Sequence, residues 1–276
     1  MKRNLVLTAA LVAVLALPGC KKNDQLLPPV PDRPVGSEFL PKTIQWKLSG
    51  AKASLSYNPD RSLQLIEYTG AGNSYSASHT YLNTRIKDIE VGPWIYKNAY
   101  SYNADGRIAS MIRYDMPYPI VKATAELKFE YGQGGRVSQL KYYQLNGTAS
   151  ELVYTSSYSY DQLGLPAEIS TVDKNGTRVV TLIEGYSPKV SFDPLWLVGT
   201  EIGDSYALYN YPVFAAMDRL PLVVKTIRYV GTQAQVEKQV ANSYTLIGKR
   251  LDKQVSSQHY PAHPAYDQTE ETSYSY

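Results

Sequence analysis

The 276-residue chain holds one cysteine, three histidines, three tryptophans and four phenylalanines. A single Cys excludes an internal disulfide framework and a site with several thiolate ligands. After the first 19 residues, no apolar run approaches the length of about 18 that a membrane-crossing helix needs. An excess of one charge is also missing. With 28 basic and 25 acidic residues, dispersed along the chain, there is no electrostatic footprint for nucleic acid. No Ser lies in a Gly-x-Ser-x-Gly elbow, and no Gly-rich phosphate loop precedes a helix. His259 and His263 have the spacing of a helical metal pair, but Pro261 and Pro264 argue against a helix there. No catalytic residue, metal or cofactor is assigned, and the expectation is a protein that is not an enzyme.

What is present starts at the N-terminus. Lys2 and Arg3 precede an uncharged run from Leu5 to Leu17, the h-region of a secretory signal. The stretch Leu17-Pro18-Gly19-Cys20 resembles a lipobox, with Pro18 departing from the usual small or aliphatic residue. The resemblance implies that 1–19 is a lipoprotein signal peptide and that Cys20 is lipidated. Each buried acyl methylene contributes about 0.8 kcal/mol, so two or more chains hold a protein on a membrane stably. No Asp follows Cys20 directly, which points to the outer membrane and leaves the periplasmic or cell-surface face open. Cleavage removes two of the 28 basic residues, leaving 26 against 25 acids. Pro28, Pro29, Pro31, Pro34 and Pro41 then make 20–42 a semi-extended tether. The remainder, 43–276, reads as a single β domain.

The 25 tyrosines recur with a period. Tyr57, Tyr102, Tyr131 and Tyr160 each end an alternating segment and precede a turn, and the last two spacings are 29. In one unit Ala125, Leu127, Phe129 and Tyr131 alternate with Glu126, Lys128 and Glu130, giving one apolar and one charged face. A turn such as Asn103-Ala104-Asp105-Gly106 follows, with Gly supplying positive φ. Apolar residues of the next strand fall three apart (Leu63 and Ile66, Ile108 and Met111, Val137 and Leu140), which predicts a β-bulge just after each turn. Tyr244 to Leu251 is a weaker copy, Tyr274-Ser275-Tyr276 looks like the opening of one more, and 176–229 is irregular enough to hide degenerate units. Within it, Phe192 to Leu197 and Pro212 to Met217 are candidate short helices covering a sheet face. Arg107 and Arg136 occupy matching places and are expected to form a structural row against Glu130 or the turn aspartates. Asp60, Asp105 and Asp161 offer too few oxygens per turn for calcium and are expected to stabilise turns.

These segments resemble YD (RHS-like) repeats, with a pattern near Tyr-x-Tyr-Asp-x-x-Gly-Arg; Tyr100 to Arg107 is the best match, with Asn103 in place of Asp. The resemblance implies an all-β fold of antiparallel hairpin repeats in a twisted, curved, extended sheet with one or two short helices. The chain looks like a small Gram-negative envelope lipoprotein of this type. The functional expectation is a binding or structural role at the outer membrane, with the membrane, a glycan or another envelope protein as partner. The alternative is a glycan-binding accessory protein with Trp46 and Trp94 as candidate platforms, since exposed aromatic faces stack on sugars. Sheet packing is the commoner use of so many Tyr.

Overall fold

A computed structural model describes residues 39–70, 73–92, 95–116, 120–198, 208 and 210–276. The signal peptide, Cys20, most of the tether and Trp94 lie outside these residues. Sixteen strands follow one another. They are β1 (Thr43–Trp46), β2 (Lys52–Tyr57), β3 (Leu63–Gly70), β4 (Asn73–Leu82), β5 (Arg85–Gly92), β6 (Tyr96–Tyr102), β7 (Ile108–Asp115) and β8 (Lys122–Tyr131). The second half comprises β9 (Val137–Asn146), β10 (Ala149–Tyr160), β11 (Pro166–Asp173), β12 (Arg178–Tyr186), β13 (Pro221–Val230), β14 (Gln233–Ile247), β15 (Arg250–His259) and β16 (Gln268–Ser275).

Every strand pairs antiparallel with its chain neighbours, and β1 pairs with β16 through Thr43 to Ser275, Ile44 to Tyr274, Gln45 to Ser273 and Trp46 to Thr272. The expected open, curved sheet is therefore wrong: the sheet closes into a 16-strand barrel. Closure satisfies the two edges that an open sheet would expose. Tyr274 to Tyr276 opens no further hairpin along the chain; its strand is completed by β1.

The bulges fall where expected. In six hairpins the register slips by one residue at the turn, as between Ser56 and Tyr57, Ser101 and Tyr102, Glu130 and Tyr131, and Ser159 and Tyr160. The same slip occurs between Thr80 and Tyr81 and between Thr245 and Leu246. The extra residue lets two apolar side chains three apart face the same side.

Segment 187–220, between β12 and β13, carries two helical turns, α1 (Leu195–Val198) and α2 (Tyr211–Phe214). Asp193 Oδ1 accepts the Leu195 N–H at 2.9 Å, and Pro212 sits in the first turn of α2. The sheet face that the described part of this segment covers is the inner one. The Tyr211 ring lies 6.1 Å from that of Tyr100 on β6, the Trp196 indole meets the Tyr57 hydroxyl on β2, and Ser191 N–H donates to Lys249 O at 2.9 Å. In a closed ring of 16 strands, β4 stands opposite β12, so reaching β2 and β6 requires crossing the lumen. The segment is a plug. A ring of this size is too wide for wall side chains alone to fill. Phe192, Leu195, Trp196, Leu208, Val213 and Phe214 lie inside it, in one buried cluster with Leu63, Ile66, Leu140 and Phe129 of the wall.

The plug fixes which face points inward. Ala125, Leu127, Phe129 and Tyr131 face the lumen, and Glu126, Lys128 and Glu130 face out. On β14, Val240, Asn242, Tyr244 and Leu246 point in, while Ala241, Ser243, Thr245 and Ile247 are exposed. The outer wall is laced by ion pairs such as Lys141 with Glu130 (2.6 Å), Lys225 with Glu184 (2.8 Å) and Lys253 with Glu271 (3.3 Å). A lipid-facing barrel has an apolar outer band, and each Lys at its midplane costs about 2–4 kcal/mol. This wall has the opposite polarity.

Candidate functional site

At the plugged end, one Tyr of each even-numbered strand donates its hydroxyl to a backbone carbonyl at the start of the preceding strand. The pairs are Tyr57 to Pro41, Tyr81 to Leu63, Tyr102 to Ile86, Tyr131 to Ile108, Tyr160 to Val137, Tyr186 to Pro166, Tyr244 to Pro221 and Tyr276 to Leu251. Tyr57, Tyr102, Tyr131 and Tyr160 thus share one environment, as their period implied. Tyr81, Tyr186 and Tyr276 complete the ring; on β14 the ring place itself is Leu246, and Tyr244, one inward position earlier, supplies the hydroxyl. Burial pushes the phenols of Tyr57, Tyr81, Tyr131 and Tyr160 up from their ordinary value, so they stay protonated donors.

The arginines do more than form a row. Arg85, Arg107, Arg136 and Arg250 lie over the rings of Tyr102, Tyr131, Tyr160 and Tyr276, at 5.4, 4.6, 5.8 and 4.8 Å from the centroids. Each bridges one hairpin to the next. The turn glycine of the receiving hairpin makes room: a Cβ on Gly106 would overlap the Arg85 guanidinium, and one on Gly164 that of Arg136. Arg107 also pairs with the turn Asp105, with Nε at 3.0 Å, whereas Glu130 is taken by Lys141. The turn aspartates act as caps. Asp60 Oδ1 accepts the Ser62 N–H (3.0 Å), Asp105 Oδ1 that of Arg107 (3.1 Å) and Asp161 Oδ1 those of Leu163 and Leu165 (2.9 and 2.8 Å).

Six residues before three ring tyrosines, and so three inward positions deeper, stand Tyr75, Tyr96 and Tyr154. Tyr68 on β3 and Tyr142 on β9 join them. This second tier forms two aromatic groups: Tyr68 stacks on Tyr75 at 4.5 Å with Trp46 tilted against Tyr68 at 6.2 Å, and Tyr142 stacks on Tyr154 at 4.9 Å. Trp46, Tyr75, Tyr142 and Tyr154 are half-buried and pack against the core cluster. Arg113 lies 3.9 Å over the Tyr96 ring and pairs with Asp115 at 3.3 Å. Trp46 is therefore a lumen residue; Trp94, the other candidate platform, lies outside the described residues.

Two buried titratable groups flank this system. Burial pushes the Asp193 carboxyl up to about 6, against the opposing Leu195 N–H, and its charge faces Tyr57, Tyr81 and Tyr211. Burial pushes the His79 imidazole down to about 4, so it is neutral at pH 7. Neither residue stood out in the sequence. His259 Nδ1 is 2.6 Å from Asp267, and the His263 ring lies tilted 5.5 Å from that of Tyr266 in the β15–β16 loop, so the two histidines take different neighbours. Among the described residues no three His, Cys, Asp or Glu side chains gather as a metal set.

No described protein family matches the chain by sequence, and no curated protein does. Solved structures with a similar fold include a porin-like protein from Bacteroides vulgatus ATCC 8482, with TM-score 0.56 and 14% identity over 86% of this chain and 99% of that one. A porin-like protein from Bacteroides uniformis ATCC 8492 has TM-score 0.51 and 10% identity over 85% and 96%. At such identities the likeness is one of fold. It corrects the YD (RHS-like) reading: the Tyr hairpins are real as units of this chain, but they build a closed barrel of the porin-like kind. The class the fold defines is thus an antiparallel 16-strand barrel with a porin-like trace, a polar outer wall and an internal plug.

Proposed function

We propose that this is a lipid-anchored envelope protein, held at the outer membrane by acylated Cys20, whose barrel stands in water and acts by binding rather than catalysis. The observation that carries the reading is the reversed polarity of the wall. A barrel with Glu126, Lys128 and Glu130 outward and Leu127 and Phe129 inward has no reason to enter lipid, so attachment falls to the N-terminus. The entering chain supports this. Lys42 N–H bonds Ser275 O at 2.6 Å and Phe39 packs edge-on against Tyr276, so the tether leaves from the plugged, tyrosine-ringed end. The buried acid Asp193 has a structural use, capping α1 beneath the ring tyrosines. A conducting pore is disfavoured by the same wall and by the plug across the lumen.

The test is fractionation. Wild-type protein should partition with outer membranes and incorporate labelled fatty acid. Cys20→Ala should lose the label and appear in the soluble fraction. Retention of Cys20→Ala as an integral membrane protein would overturn the reading.

A further inference from the structure

The two tyrosine tiers differ in one respect that matters. Every ring hydroxyl is committed to a backbone carbonyl. In the second tier the Tyr68 hydroxyl is buried, with Tyr68 at 7% exposure, and has no hydrogen-bond partner; three strands on, Asn98 Oδ1 is buried and unpartnered too. A buried polar atom left unpaired costs about 1–3 kcal/mol. Such a cost is tolerated where something else completes the bond. Tyr68 lies within electrostatic reach of the Tyr75 and Tyr96 hydroxyls, and Asn98 stands on the same inward face as Tyr96.

We propose that the inner wall of β1, β3, β4, β6 and β7 is a binding site for a neutral oligosaccharide, built from Trp46, Tyr68, Tyr75, Tyr96, Asn98 and Arg113. The proposal deepens the binding role argued above and rests on it. Three features select the ligand class. The half-buried Trp46 and Tyr75 rings, each in contact with the buried Tyr68 ring, present flat aromatic surface, which suits the C–H face of a pyranose ring. The unpartnered Tyr68 hydroxyl and Asn98 amide oxygen supply a donor and an acceptor on the same inner wall. A saccharide carries both complements on each ring, whereas an aliphatic chain would leave both atoms unpaired. The Arg113 guanidinium lies over Tyr96 and is paired with Asp115. So paired, it offers no surplus charge to select a phosphate or carboxylate, and the ligand is uncharged.

The experiment is calorimetric titration of the mature protein, purified in detergent with its anchor in place, with four neutral hexasaccharides: maltohexaose, cellohexaose, mannohexaose and xylohexaose. At least one should bind with Kd below about 1 mM. Tyr68→Phe keeps the ring and its stacking on Tyr75 and removes only the unpartnered hydroxyl. It should weaken that binding by about five-fold or more while leaving the melting temperature equal or higher. A structural role for the hydroxyl would move the two readouts the other way. Trp46→Ala should abolish binding; Tyr266→Ala, on the exposed β15–β16 loop, should not change it. No binding by any of the four sugars, or binding indifferent to Tyr68→Phe, overturns the proposal. The titration is independent of acylation, so its failure would leave the anchored-barrel reading standing. Failure of the fractionation test would likewise leave the site intact.

Discussion

Tyr131→Phe is the sharpest probe of how the barrel end is held. The hydroxyl donates to Ile108 O at 2.7 Å, and Arg107 lies 4.6 Å over the ring. Phe retains the ring, its packing and most of the cation–π contact, so the change isolates one hydrogen bond. A neutral hydrogen bond contributes about 0.5–1.5 kcal/mol net, and the abandoned carbonyl sits at a strand start beneath the displaced phenol, which favours the upper half of that range. Tyr81→Phe removes the equivalent bond to Leu63 O four strands away. With no shared partner, the two losses should add to about 1–3 kcal/mol, within about 0.5 kcal/mol of their sum. Tyr143→Phe is the control: it points outward beneath Lys128 and should change stability by less than about 0.5 kcal/mol. Urea unfolding followed by tyrosine and tryptophan fluorescence gives the values, provided the slope is unchanged. Ring substitutions no more costly than Tyr143→Phe would refute the idea that the hydroxyls clamp the strand ends.

Gly164→Ala should destabilise by more than about 1 kcal/mol, because φ is +75° and the new methyl must displace Arg136 from Tyr160; the same change at Gly176, with φ +84° but open space, should cost only the backbone term. The buried Asp193 and His79 give stability opposite slopes with pH. The raised Asp193 means the native state holds its proton more tightly than the unfolded chain, so stability rises as pH falls from about 6 to 4. The depressed His79 means the native state resists protonation, so stability falls as pH drops from about 6.5 to 4. Asp193→Asn should therefore gain stability at pH 7, by about 3 kcal/mol at most for a shift of that size, and should become acid-sensitive between pH 6.5 and 4. Thermal melts across that window decide it, and an Asp193→Asn profile parallel to wild type would show that the carboxyl is not held as the structure has it.

The hairpin was legible because it is local. Tyr, turn, Gly and Arg fall within about eight residues, and their physical jobs are met inside one hairpin or its neighbour. The bulge was legible from Val137 and Leu140 for the same reason. Tyr81 was missed because its turn is the two-residue Asn83-Thr84, both at positive φ, in place of the four-residue turn that follows Tyr102. Tyr186 was missed because the plug, not a turn, follows it. Closure was not legible at all. It rests on four residues at 43–46 recognising four at 272–275, with only ordinary alternation at either end. Without closure there is no inside, so the apolar face of Ala125 to Tyr131 carried no hint that it curls around a plug, and Trp46 read as a surface residue.

The two tiers show where sequence regularity stops being structural. A barrel end with eight strand starts must cover eight carbonyls, and a tyrosine does so with one side chain that packs along its length and bonds at its tip. That demand explains one Tyr per even strand. It does not explain Tyr68, Tyr75 and Tyr96, which stand deeper, cover no strand start and leave a buried hydroxyl idle. A phenylalanine at 68 would serve the stack equally well and spare the unpaired oxygen. Where a chain keeps a costly polar atom that its fold does not use, the use lies outside the fold. The stability of Tyr68→Phe relative to Tyr131→Phe therefore separates the scaffold from the site within one residue type: the first substitution should be neutral or favourable, the second unfavourable, although each removes a single hydroxyl from the same inner wall.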